Sequence, residues 1–170
     1  MIKIITNLFT SDKRFLIGLF LILSFSFSYG QQVVSLKDLK NSSSVLRNKD
    51  IDVNRLNSLI YDLQPAAYFQ SGKTNYYGPG GSVVLFVDFA QLSNIPSQIN
   101  KLARVEMVKI YLKGNNPQMV NPELLNELPN LKYIFFICES CGDSNMTNAL
   151  SSRKSFSEDI LVIHNAEINN

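Results

Sequence analysis

"LKYIFFIC", residues 131–138, holds one charged side chain, Lys132, in eight residues and is followed by the turn-forming "ESCGDSN" (139–145). It is short for a helix and rich in aromatic and β-branched side chains, so it reads as a strand. It is apolar at odd and even positions alike, as strands of parallel sheets are when both faces are covered. Three similar runs share the second half of the chain: "VVLFVDF" (83–89), "VEMVKIYL" (105–112) and "ILVIH" (160–164). Between them lie "IPSQINKL" (95–102), which suits a short helix or turn; "NPELLNEL" (121–128), a short helix with Asn121 as cap and Pro122 at its first position; and the weakly helical "SNMTNALSSRK" (144–154). Strands alternating with short helical linkers are parallel β-units rather than hairpins. The expected class is α/β, with short parallel units joined by helical or irregular crossovers and preceded by an N-terminal helix and hairpin.

That helix is "DIDVNRLNSLIYDLQP" (50–65), where Leu56, Leu59, Ile60 and Leu63 fall at i, i+3, i+4 and i+7 and define one apolar face. Asp50 or Asp52 caps it, and Pro65 ends it. The runs "AYFQ" and "TNYY" then flank the turn "SGK", followed by the breaker "GPGG" (78–81). "SGKT" matches the end of a phosphate-binding loop, but Ala67 stands where that loop needs its first glycine and no helix-forming run follows. It is read as a turn.

The strand runs also recur at similar spacing. Leu131, Ile134 and Phe136 follow Val105, Val108 and Ile110 by 26 residues; Ile160 and Val162 follow Ile134 and Phe136 by 26; Val84, Val87 and Phe89 precede Val105, Val108 and Ile110 by 21. Periods of 20–29 residues belong to leucine-rich repeats. "LSNIPSQINKLARVEMVKIYLKGNN" and "LLNELPNLKYIFFICE" resemble that family over residues 83–165. Met107, Ile110, Leu112 and Asn115 match the pattern L-x-x-L-x-L-x-x-N, and Leu131, Ile134 and Phe136 match its leucine positions in the next unit. Glu139 replaces the asparagine of that unit, and Leu112 with Asn115 supports a competing 24-residue register. The resemblance implies a solenoid with strands along its inner curve.

Residues 1–30 read as a secretory leader. Lys3, Lys13 and Arg14 precede a 13-residue apolar run, "FLIGLFLILSFSF" (15–27), and "SYG" (28–30) places small residues at the −3 and −1 positions of a cleavage site after Gly30. The run is short for a membrane span of about 20 residues; an uncleaved leader is the one way this chain would hold a membrane. Three of the 16 basic and one of the 14 acidic residues lie in the leader, leaving 13 of each and no net charge in residues 31–170. Affinity for nucleic acid or an anionic surface is therefore not expected. The polar stretch 31–49, with serines at 42–44, reads as a loosely held segment, and residues 50–170 as one globular domain. The expected location is periplasmic or extracellular.

Strand parity sorts the side chains into two faces. If Ile134 and Phe136 face one way, then Phe86, Asp88, Met107, Lys109, Tyr111, Tyr133, Phe135, Ile137, Leu161 and Ile163 face the other. This second face is either covered by the N-terminal helix and hairpin, or open to a protein or cell-envelope ligand through Phe86, Asp88, Lys109, Tyr111, Tyr133 and Phe135.

Catalytic signals are sparse. The single histidine, His164, sits at a strand end, and Asp88, Glu106 and Glu139 show no spacing that pairs an acid with a base. Two cysteines and one histidine do not fill a four-ligand zinc site, and neither metal nor other cofactor is expected. Cys138 and Cys141 form a C-x-x-C pair with three readings: a structural disulfide in an exported chain, a thioredoxin-like redox pair, or two free thiols with Cys138 pointing into the core. The redox reading lacks an aromatic-and-proline setting, and no proline follows Cys141. The sequence thus favours a non-enzymatic binding module over a thiol–disulfide oxidoreductase or a structural envelope component.

Overall fold

The computed structural model describes residues 33–41, 51–95, 100–112, 123–138, 140–142, 146–147, 150, 156–157 and 159–166. The chain divides at Gly30 into two units, and all described residues belong to the second. The expected leader, Ser42–Ser44, Asp50, Asn115, Asn121, Pro122 and Glu139 lie outside the described residues.

Seven strands form one sheet: β1 (Val33–Ser35), β2 (Ala66–Gln70), β3 (Lys73–Tyr77), β4 (Val84–Asp88), β5 (Met107–Leu112), β6 (Tyr133–Cys138) and β7 (Leu161–Ala166). Their order is β1-β7-β6-β5-β4-β2-β3, and every neighbouring pair is parallel except β2–β3. The described helices are α1 (Leu36–Asn41), α2 (Val53–Tyr61), a 3-10 helix (Phe89–Asn94) and α3 (Glu123–Asn126). The four apolar runs of the second half are the parallel neighbours β4 to β7 in chain order, as their alternation with helical linkers implies.

The register differs from an even repeat. Val108 pairs with Ile134, the anticipated 26-residue step, but Ile134 pairs with Val162, 28 residues on, and Val87 pairs with Ile110, 23 residues on. The expected steps of 26 and 21 at those two junctions are corrected accordingly. Apolar residues at both parities made several alignments look equivalent, whereas backbone pairing selects one.

The stretch 31–49 also needs correction. Far from being loosely held throughout, its residues Val33–Ser35 pair in parallel with Val162–His164 at the far edge of the sheet. The Ser35 hydroxyl accepts from the Asp38 amide (3.0 Å) and donates to the Asp38 carboxylate (2.9 Å), a reciprocal cap that starts α1. Three residues are too few for periodicity to register, but the S-x-x-D spacing was a readable helix start.

This edge placement determines what covers the sheet. From β1 to β2 the chain must cross the four strands between them, about 24 Å at 4.8 Å per step. α1 and α2 lie along that connection and roof one face. Leu39 of α1 and Leu56 and Leu59 of α2 pack there on Val34, Ala66, Val84, Met107, Tyr133, Phe135, Leu161 and Ile163. The crossovers cover the other face, where Ala67, Leu85, Val108, Ile110, Ile134, Phe136 and Val162 meet Leu92, Leu102, Leu125, Leu128 and Met146. Both faces of the central strands are therefore buried, which explains their unbroken apolar runs.

α2 is set from both ends. Asp52 caps it, its carboxylate accepting from the Arg55 amide at 2.9 Å. Leu56 and Leu59 are 1% and 0% exposed, while Leu63, expected on the same stripe, is fully solvent-exposed at 103% because the helix stops at Tyr61, before Leu63 is reached. The hairpin forms as anticipated with a tighter turn: Ser71 and Gly72, at φ 50° and 74°, make the two-residue turn whose twist matches its strands.

Candidate functional site

Along the roofed face the residues form rows perpendicular to the strands. One row runs Ala66, Val84, Met107, Tyr133, Leu161; the next Tyr68, Phe86, Lys109, Phe135, Ile163; the third Asp88, Tyr111, Ile137, Asn165. Burial falls along the strands. Met107, Tyr133 and Leu161 are 0–4% exposed, Lys109 and Phe135 are 8% and 5% exposed, Phe86, Asp88 and Ile137 are half-buried, and Tyr111 is 37% exposed. Among the described residues, the helices roof the amino-terminal rows and leave a cleft at the carboxyl ends of β2, β4, β5 and β6.

The six anticipated face residues thus divide. Tyr133 and Phe135 are core, packed under α1 and α2, because the connection from β1 crosses above them. Lys109 is committed as well. Its ammonium donates to the carbonyl of Ile60 at 3.0 Å, at the carboxyl end of α2, and lies 5.1 Å from the centre of the Phe86 ring. A cation at a helix carboxyl end is favoured by the exposed carbonyls and the helix dipole. Burial pushes the Lys109 amine below its ordinary range. Its role is to anchor α2. Phe86, Asp88 and Tyr111 stay at the open end.

There they line a cleft of about 310 Å³ with Tyr68, Gln70 and Ile137. The Tyr68 and Phe86 rings lie 4.4 Å apart and 4° from parallel. Tyr77 meets Tyr68 edge-on at 5.3 Å, and Tyr111, in the neighbouring row, lies diagonally across from Phe86 at 6.3 Å. Each such ring pair contributes about 0.5–1.5 kcal/mol beyond its area. Tyr68, Phe86 and Tyr111 thus form a stacked aromatic lining. Sequence parity found Phe86 and Tyr111 but missed Tyr68, because β2 was assigned to a hairpin rather than to the parallel sheet; only the pairing of Tyr68 with Phe86 brings it into the row.

A clamp sets the edge of the roof. Arg55 donates to Glu106 from Nη2 (2.6 Å) and Nε (3.3 Å), with Lys132 at 3.8 Å from the same carboxylate. The Arg55 hydrogen bonds hold the Glu106 carboxyl below the usual carboxylate range. Next to the clamp, burial raises the Tyr133 phenol above its ordinary value, and the carboxylates of Asp52 and Glu106 add to the effect.

On the opposite face, His164 is wholly buried and its Nε2 meets the Thr147 hydroxyl at 2.9 Å. Cys138 and Cys141 stand at disulfide distance, with Cα atoms 5.5 Å apart and 1% exposure each. Cys138 faces the core as strand parity requires. Among the described residues no cluster of three or more His, Cys, Asp or Glu has metal-binding geometry, and no helix is long and apolar enough to cross a membrane.

No family model, curated protein or solved structure matches this chain. Functional inference therefore rests on the cleft and on the sequence.

Proposed function

We propose that this chain is an exported, non-enzymatic binding module whose ligand site is the cleft at the carboxyl ends of β2, β4, β5 and β6. The observation that carries this reading is the half-open aromatic cluster Tyr68, Phe86 and Tyr111, on a face that α1 and α2 otherwise roof. Open parallel sheets place ligands outside the carboxyl ends of their strands. An aromatic floor bordered by a few polar groups, here Asp88, Gln70 and the tyrosine hydroxyls, is the usual make-up of a binding cleft. The ligand is a protein segment or cell-envelope component with an apolar body and hydrogen-bonding edges. Export is supported by the leader that ends at Gly30 and by the cysteine pair, whose oxidation suits an oxidising compartment. Thiol–disulfide exchange is disfavoured, because an attacking thiolate must be reachable and both cysteines are buried. The stepwise parallel order β4 to β7 supports a repeat-like origin for residues 83–165.

A fragment screen read by backbone amide NMR tests the site. Shifts clustering on Phe86, Asp88, Tyr111 and Ile137, and lost in Tyr111→Ala, are expected; binders that perturb only other surfaces would overturn it. Mass analysis of the protein recovered from its host tests export, with Gln31 as the expected new terminus.

A further inference from the structure

The sheet has two edges, and they are unlike. β1 offers three residues, whereas β3 offers five, Lys73–Tyr77, four of them exposed. Tyr76 and Tyr77 are 46% and 58% exposed. An outer edge is a row of unpaired backbone groups, and proteins ordinarily blunt it with proline, bulges or several charges. β3 has no proline, its pairing with β2 runs without a bulge from Ala66–Tyr77 to Gln70–Lys73, and its one charge, Lys73, lies at the end of the strand.

The hairpin determines which groups point outward. In a two-residue turn the flanking pair, Gln70–Lys73, exchanges hydrogen bonds, and the pattern alternates from there. Lys73, Asn75 and Tyr77 therefore bond to β2, while Thr74 and Tyr76 turn their N–H and C=O groups outward.

We infer that this edge is a self-association surface: β3 pairs antiparallel with β3 of a second copy of the chain about a two-fold axis at Asn75, joining two sheets into one. The sequence "KTNYY" is complementary to itself in this register. Thr74 pairs with Tyr76 of the second copy and Tyr76 with its Thr74, forming four backbone hydrogen bonds from the four outward groups on each side. Asn75 faces Asn75, whose amides both donate and accept. Lys73 falls opposite the Tyr77 ring of the other copy, within cation–π reach, and no like charges oppose each other. The Tyr77 ring is already held edge-on to Tyr68, so little ordering is needed on pairing. A symmetric interface of this kind closes at two copies and leaves no further β3 edge.

The surface adjoins the cleft where Tyr77 touches Tyr68, but Asn75 is not among the residues that line the cleft, so the test separates the two. Sedimentation of the protein made from its full reading frame is expected to show a concentration-dependent monomer–dimer equilibrium in the micromolar to submillimolar range. Asn75→Lys places two lysines against each other on the axis and is expected to raise the dimer dissociation constant about tenfold or more. Because Asn75 is exposed, its circular dichroism should match the wild type. Asn75→Cys puts two thiols in a non-hydrogen-bonded antiparallel pair, close enough to oxidise into a linked dimer, whereas Lys73→Cys alone should link poorly. A wild type that stays monomeric throughout, or a dimer that Asn75→Lys leaves intact, overturns the inference.

Discussion

Glu106→Gln is the most informative single change. The Glu106 carboxylate ties the start of β5 to α2 through two hydrogen bonds from Arg55, and the two side chains are 21% and 31% exposed. Fully exposed ion pairs contribute up to about 1 kcal/mol, while hydrogen bonds to charged groups in protected settings contribute about 1.5–3 kcal/mol. A pair with this exposure lies between, at about 1–2 kcal/mol. For a unit spanning Gln31–Asn170 that corresponds to a fall of about 3–7 °C in the unfolding midpoint. The pH dependence supplies the sharper test. The folded carboxyl titrates below the unfolded one. The folded state therefore binds fewer protons than the unfolded chain in that window, and the stabilisation is present above the unfolded carboxylate pKa, about 4.3, and is lost as pH falls through the folded value. Urea unfolding near pH 7 should separate wild type from Glu106→Gln by the full amount, and the two curves should converge as pH falls through the folded value. Hydrogen exchange should locate the loss in α2. A pH-independent difference, or none near neutrality, would refute the assignment of this pair as a clamp on the roof.

Other consequences can be checked on the same protein. Phe135→Ala removes a core ring and should cost about 3–5 kcal/mol by denaturant titration, while Tyr111→Ala at the open end should cost about 1 kcal/mol or less; equal losses would mean that the roof extends over the cleft. Leu59→Ala should cost about 2–5 kcal/mol and Leu63→Ser should stay within about 0.5 kcal/mol, a contrast that a helix continuing to Pro65 would reverse. Ser71→Asn puts a residue tolerant of left-handed φ at the first turn position and should raise stability by about 0.5–1 kcal/mol in thermal melts. A Cys138→Ser, Cys141→Ser double variant should lose about 2 kcal/mol relative to the oxidised protein, and an intact mass unchanged by reductant would remove the disulfide.

Strand identity and direction could be read locally, because a strand covered on both faces is apolar at odd and even positions alike, and "YIFFIC" states this within six residues. The core-facing parity of Cys138 and the Asp52 cap were legible for the same reason: each depends on neighbours close in sequence. Which side chains shared the open face could not be read. Tyr68 joins Phe86 only because β2 docks in parallel on β4, and Phe135 is lost to the core only because β1 reaches the far edge and draws α1 and α2 back across the sheet. Lys109 reads from the sequence as part of the candidate binding face; its partner, the Ile60 carbonyl, lies 49 residues away. The sequence alone determined the apolar runs of the second half, and with them the strands β4 to β7, their parallel sense and the two faces. Tertiary structure decided which end of one face stays uncovered, because coverage depends on where a distant connection crosses the sheet, and no local period encodes that path.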